Sequence, residues 1–171
     1  MTPLRFPIVL TVSGLLGGCA STGAVPTPFP RPGASTTPAA AAASGEALGT
    51  SGYVVTGTAL ALRGSRYRDG GTDPSGFDCS GFVWYVFGQH GIALPRTVSE
   101  QYRAGIGVSP DRLEPGDLVF FTTVAPGASH VGIAIGGDEF IHAPSGRGEV
   151  RVERLSSSYW APRLIGARRV F

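Results

Sequence analysis

The chain has 171 residues, with 26 Gly, 14 Pro, 15% charged residues and a formal net charge of +2. So low a charge excludes a highly charged disordered chain, and a near-balanced charge without a basic run excludes a nucleic-acid binder. The two Cys exclude a disulfide-rich scaffold and leave too few thiolates for a Cys-built zinc site.

The first segment, residues 1–18, reads as a signal peptide. Arg5 supplies the positive n-region, and residues 6–16 form an apolar stretch too short for a stable span. Leu16-Gly17-Gly18-Cys19 resembles the lipobox of bacterial lipoproteins. The resemblance implies that the leader is cut before Cys19, whose thiol and new amine are then acylated. Each buried CH₂ contributes about 0.8 kcal/mol, so several chains anchor stably where one is marginal. Ala rather than Asp follows Cys19. By resemblance to Gram-negative sorting, this favours an outer-membrane lipoprotein facing the periplasm.

Residues 19–48 carry five Pro, many Ala and Thr, and Arg31 and Glu46 as their charges. Such a segment cannot bury a core, so a disordered tether is expected, extended where Pro recurs. From residue 49 to 171 the pattern is that of one domain. The spacing predicts helices over 54–63, 79–89 and 97–103. Strands follow over 117–122, 130–135, 139–143, 150–154 and 163–170. Helices followed by consecutive short strands indicate an α+β fold with an antiparallel sheet.

Asp78 precedes an apolar helical run, so it is a natural N-cap and Cys79 becomes the first helical residue. There the helix dipole and unpaired amides are expected to lower the thiol pKa and favour the nucleophilic thiolate. His130 opens one strand and His142 ends the next. A tight turn around Gly136-Gly137-Asp138 would make the two imidazoles face each other as cross-strand neighbours, one to take the thiol proton and one to orient it. Gly132 would permit a close backbone approach. A His pair without a clear third ligand does not make a zinc site, so neither metal nor cofactor is expected. His90, in the last turn of the Cys79 helix, reads as structural.

Further blocks join these residues. They are Tyr67-Arg68 with Gly70-Gly71, Phe77-Asp78-Cys79-Ser80-Gly81-Phe82-Val83, and Leu94-Pro95-Arg96-Thr97 with Gln101. Leu113 to Phe121, Ser129-His130-Val131-Gly132-Ile133 and Phe140-Ile141-His142-Ala143 complete the set. In order and spacing they resemble the NlpC family of bacterial cell-wall cysteine peptidases, over essentially all of 50–171. The resemblance implies a papain-like core. Its N-terminal helices carry the catalytic Cys at a helix start, packed on an antiparallel sheet of five to six strands.

The implied activity is hydrolysis of peptide bonds in peptidoglycan stem peptides, commonly between D-glutamate and diaminopimelate. In some lipoprotein members it is the diaminopimelate–D-alanine cross-link. By position Cys79 is the nucleophile, His130 the general base and His142 the third polar residue, where the family also uses Asn or Gln. Tyr67 lines the substrate or oxyanion side, and the Cys79 N–H is a candidate oxyanion donor. Asp78 is read as cap, Ser80 as support for the site, and Arg96 as a structural anchor. Phe82, Trp84, Tyr85 and Phe87 are read as core packing on both helix faces. The arginines at 147, 151, 154, 163, 168 and 169 are read as a solvated edge with Glu149 and Glu153. The expected partners are stem peptides and a membrane held through the lipid anchor, with the protein a monomer. The rivals are a catalytically silent wall-binding scaffold lipoprotein and an amidase or acyltransferase on the same fold.

Overall fold

The computed structural model describes residues 43–171, with side chains from residue 52 onward. The leader, Cys19 and the tether as far as residue 42 lie outside the described residues. Helix α1 runs Ala43–Ala61, beginning well before the expected start at 54 and inside the segment read as tether. The added stretch lacks Pro but carries Gly45, Gly49 and Gly52, so it is a poor helix former by composition and continues from the packed C-terminal half. Val55 and Ala59 of α1 are buried in the core. The helix ends before Gly64, whose φ of 85° turns the chain away.

Strands β1 (Thr72–Asp73) and β2 (Gly76–Phe77) form a small antiparallel hairpin that leads into helix α2, Cys79–Gly88. Next come the short helix α3, Val98–Gln101, and β3, Ile106–Val108. The remaining strands are β4 (Leu118–Phe121), β5 (His130–Gly136), β6 (Glu139–His142), β7 (Arg151–Arg154) and β8 (Leu164–Arg169). They make one antiparallel six-stranded sheet in the order β3-β8-β4-β5-β6-β7. The fold is α+β. All five expected strands are present, β3 is an addition to their sheet, and the β1–β2 hairpin is a further one.

Both faces of the central strands are buried. Phe77, Phe82, Val83, Phe87, Phe120, Val131, Ile133 and Ile141 pack together on the helix side. Val119, Phe121, Phe140 and Trp160 pack on the other. Strands sealed on both faces read as continuous apolar runs, as Leu118-Val119-Phe120-Phe121 does. Trp84 departs from the expectation of packing on both faces of α2, since it is 42% exposed. The sheet is clamped at one end by fully buried Asp117, which accepts from Arg169 Nε and a terminal guanidinium nitrogen at 2.8 Å each. Removing one partner of such a pair costs about 3–5 kcal/mol. Arg169 therefore leaves the expected solvated edge. Arg163 stays at the surface, stacking 4.1 Å from the ring centroid of the exposed Tyr159.

Candidate active site

The start of α2 is built as its sequence dictates. Asp78 is extended, with φ −91° and ψ 176°, and accepts from the Gly81 N–H at 2.7 Å, leaving Cys79 as the first helical residue. Arg96 braces this cap, donating to Asp78 Oδ1 at 3.0 Å and to Ser80 Oγ at 2.8 Å. Gln101, fully buried, donates to the carbonyls of Ser80 and Pro95 at 3.0 and 2.8 Å. Ser80 and Arg96 thus hold the helix start, the supporting roles expected of them. Gly81 has no room for a side chain, because a Cβ there would lie 2.0 Å from the Gly71 carbonyl oxygen. His90 accordingly does structural work, pairing through Nε2 with Thr58 Oγ1 at 2.8 Å.

The N–H groups of Ser80, Val131 and Cys79 itself are directed at the Cys79 sulfur and lower its pKa. Burial and the Asp78 carboxylate outweigh them and push the thiol up to about 11. The resting thiol is therefore protonated, contrary to the expectation of a depressed pKa from the helix start alone. Tyr67 sits beside this group. Its phenol pKa is raised by burial first, then by the charges of Cys79, Asp69 and Asp78.

The two imidazoles meet directly, His130 Nε2 to His142 Nδ1 at 2.7 Å. They are not strictly opposite, as a turn centred on Gly136 would have made them. Ile133 pairs with Ile141, and a bulge between Ala134 and Gly136 shifts the hairpin toward Gly137-Asp138. Continuing that register sets Gly132 opposite His142 and makes His130 its diagonal neighbour on the same face. The lack of a side chain at Gly132 is needed here, because a Cβ would lie 2.6 Å from the Phe140 ring and 3.2 Å from the His142 Cβ. Burial lowers the His130 pKa to about 4, and burial, His130 and Arg151 lower that of His142, so both rings are neutral at pH 7.

Helix α2, which opens with Cys79, packs against β5. Val131 and His130 alternate in direction, Val131 toward the helices and His130 toward Trp160. Among the described residues, no hydrogen bond joins Cys79 Sγ to either imidazole in this resting state. Hydrogen bonds of this kind often tighten only in the substrate complex. No group of three or more His, Cys, Asp or Glu among the described residues is arranged for a metal ion.

The NlpC/P60 family model matches residues 64–169. The chain belongs to the NlpC/P60 family. This NlpC/P60 domain is 47% identical over 113 residues to the probable peptidoglycan endopeptidase LytE of Bacillus subtilis, covering 65% of this chain and 32% of that protein. It is 43% identical over 112 residues to the murein DD-endopeptidase MepH of Escherichia coli, covering 63% of this chain and 41% of that one. An NlpC/P60 family protein from Bacillus cereus superposes with a TM-score of 0.65 at 34% identity, over 69% of this chain and 39% of that chain. The chain therefore spans less than half the length of these relatives.

Two residues of the NlpC/P60 site escaped the sequence reading. Trp160, 5% exposed, stacks on His130 with ring centroids 5.4 Å apart and meets His142 edge-on at 5.0 Å. Glu153 was read as part of a solvated edge, yet its Oε2 lies 3.9 Å from His142 Nε2 and accepts from the Trp160 indole N–H. A cavity of about 360 Å³ opens beside them, lined by His130, Glu153, Trp160 and Arg147 among others. Cys79 is not part of its wall.

The raised thiol pKa has a measurable consequence. Reaction of Cys79 with iodoacetamide, followed on the Cys79 peptide by mass spectrometry, is expected to accelerate about tenfold per pH unit from about pH 6 to 9, without levelling. The sign follows from the thiolate fraction, which climbs until pH reaches the folded pKa. A rate that levels below about pH 7 would contradict it and reveal a pre-formed thiolate–imidazolium pair.

Proposed function

We propose that this chain is a cysteine endopeptidase that hydrolyses peptide bonds in peptidoglycan stem peptides or their cross-links. It acts as an outer-membrane lipoprotein held through acylated Cys19 after removal of residues 1–18. One observation carries the reading of the site: a Cys at a capped helix start sits on a helix packed against the strand that opens with a hydrogen-bonded imidazole pair. The naming of LytE and MepH as endopeptidases of peptidoglycan or murein supports the substrate class. Residues 5–19 support the anchor.

In the proposed reaction His130 takes the Cys79 thiol proton as the sulfur attacks the scissile carbonyl carbon. The oxyanion is received by main-chain N–H at the helix start, with Tyr67 alongside. Collapse breaks the C–N bond, and the His130 imidazolium gives its proton to the leaving amine. Water, deprotonated by His130, then attacks the thioester. The C–S bond breaks, the thiolate regains the proton, and acid and amine products leave. His142 orients His130 and shares the charge that forms on it.

Digestion of defined muropeptides by the purified protein, with products weighed by mass spectrometry, tests this reading. Cleavage of one stem-peptide or cross-link amide is expected. Products carrying a new acyl acceptor, or the loss of a side-chain amide alone, would favour the acyltransferase or amidase instead. A Cys19→Ala protein expressed in cells should leave the membrane fraction; retention there would contradict the anchor.

A further inference from the structure

Three adjacent strands each contribute one polar side chain to the Trp160 face of the sheet: His130 from β5, His142 from β6 and Glu153 from β7. The β6–β7 register sets Phe140 opposite Glu153 and His142 opposite Arg151, so Glu153 is the diagonal neighbour of His142 on the same face. The resulting row runs from His130 Nε2 to His142 Nδ1 at 2.7 Å, then from His142 Nε2 to Glu153 Oε2 at 3.9 Å.

The proton arrangement along this row follows from the proposed function, on which the inference rests. His130 pairs with His142 through Nε2. Its other nitrogen, Nδ1, must be unprotonated to take the thiol proton. A neutral ring with a free Nδ1 carries its hydrogen on Nε2, so His130 donates and His142 Nδ1 accepts. His142 then carries its own hydrogen on Nε2. That atom is completely buried and, among the described residues, has no hydrogen-bond partner within ordinary distance. A buried donor left unpaired costs about 1–3 kcal/mol, which a nearby acceptor relieves. Glu153 is that acceptor, and a small side-chain movement would close the gap. Its carboxylate is held in place from two sides, by the Trp160 indole N–H and by Arg151 Nε at 3.1 Å.

We propose that Glu153 is a positioning residue that fixes His142 in its Nε2-protonated form, and through it leaves His130 Nδ1 free to act as base. Without Glu153, the reverse arrangement becomes accessible, with His142 Nδ1 donating to His130 Nε2 and the His130 hydrogen on Nδ1. That form cannot accept the thiol proton. The negative charge of Glu153 also favours the imidazolium that forms on His130 during attack.

The test uses the full chain as wild type, Glu153→Ala and Glu153→Gln. Nitrogen-15 NMR of the histidine rings is recorded without substrate, and muropeptide cleavage is measured separately. The wild type is expected to show the His142 hydrogen on Nε2. Glu153→Ala is expected to lose that signature and to lower kcat about 10–100-fold with KM little changed. Glu153→Gln, which keeps an oxygen acceptor and nearly the same volume, should recover part of both. If Glu153→Ala does not fold, the Gln variant decides: an unchanged kcat together with an Nδ1-protonated His142 in the wild type overturns the proposal. Wild-type kcat and wild-type ring signals in Glu153→Ala likewise overturn it. A wild-type protein that cleaves no muropeptide, yet shows the predicted ring signals and their loss in Glu153→Ala, refutes the functional reading while upholding the role of Glu153.

Discussion

Cys79→Ala is expected to lose muropeptide cleavage by roughly 10⁶-fold, to the detection limit, while the protein remains folded. The sulfur is the nucleophile of the proposed reaction, and Ala keeps the Cβ and the helical backbone. Asp78 still caps the helix through the Gly81 N–H, and Arg96 still braces Asp78 and Ser80. The stability change should stay near ~1 kcal/mol, checked by the urea midpoint. His130→Ala is expected to lose about 10²–10⁴-fold in kcat, the usual contribution of a positioned acid–base group. The double variant should be no worse than Cys79→Ala, because the two act as one unit. Steady-state cleavage of a single defined muropeptide reads all three. Appreciable turnover by Cys79→Ala would remove the thiol from the mechanism.

The second large effect concerns His142, which is fully buried. His142→Ala takes away the acceptor at 2.7 Å from His130 Nε2 and opens a void beside Phe140 and Trp160. The His130 hydrogen is then unpaired and the ring is no longer fixed. A loss of about 10²–10³-fold in kcat is expected, below that of His130→Ala, since the base itself survives. His142→Asn offers a carbonyl oxygen to the same hydrogen and should lose less again. Equal losses for His130→Ala, His142→Ala and His142→Asn would contradict the orienting role.

Much of this site is legible in the sequence because its parts are local. The Asp-Cys pair before an apolar run defines the helix start, and Gly132 marks the close approach of β6. Strands β4, β5 and β6 announce themselves as short runs rich in apolar residues between turn residues. Features that depend on longer-range geometry are harder to read. The bulge near Gly136 changes which residues face His142, and nothing local reveals it. The β3 strand, Ile106-Gly107-Val108, is short and exposed, and β8 pairing alone defines it. Helix α1 extends back through Gly45, Gly49 and Gly52, residues that signal a flexible segment rather than a helix. Glu153 lies in an Arg-Val-Glu-Arg strand that reads as a charged edge. Its place beside His142 arises from the β6–β7 register and from Trp160, which arrives from a separate loop. The thiol pKa is similarly hidden, because the helix start lowers it while burial, known only from the packed structure, raises it together with the adjacent Asp78 carboxylate.

The central claim is that Cys79 carries the acyl group of a stem peptide. Acid-quenching the protein during turnover of a defined muropeptide, then weighing the intact protein and its Cys79 peptide, tests this most directly. The account predicts a hydroxylamine-labile adduct on Cys79 with the mass of the acyl fragment, absent in Cys79→Ala. Continued cleavage with no adduct on Cys79 under any quench, or an adduct on another residue, would contradict it.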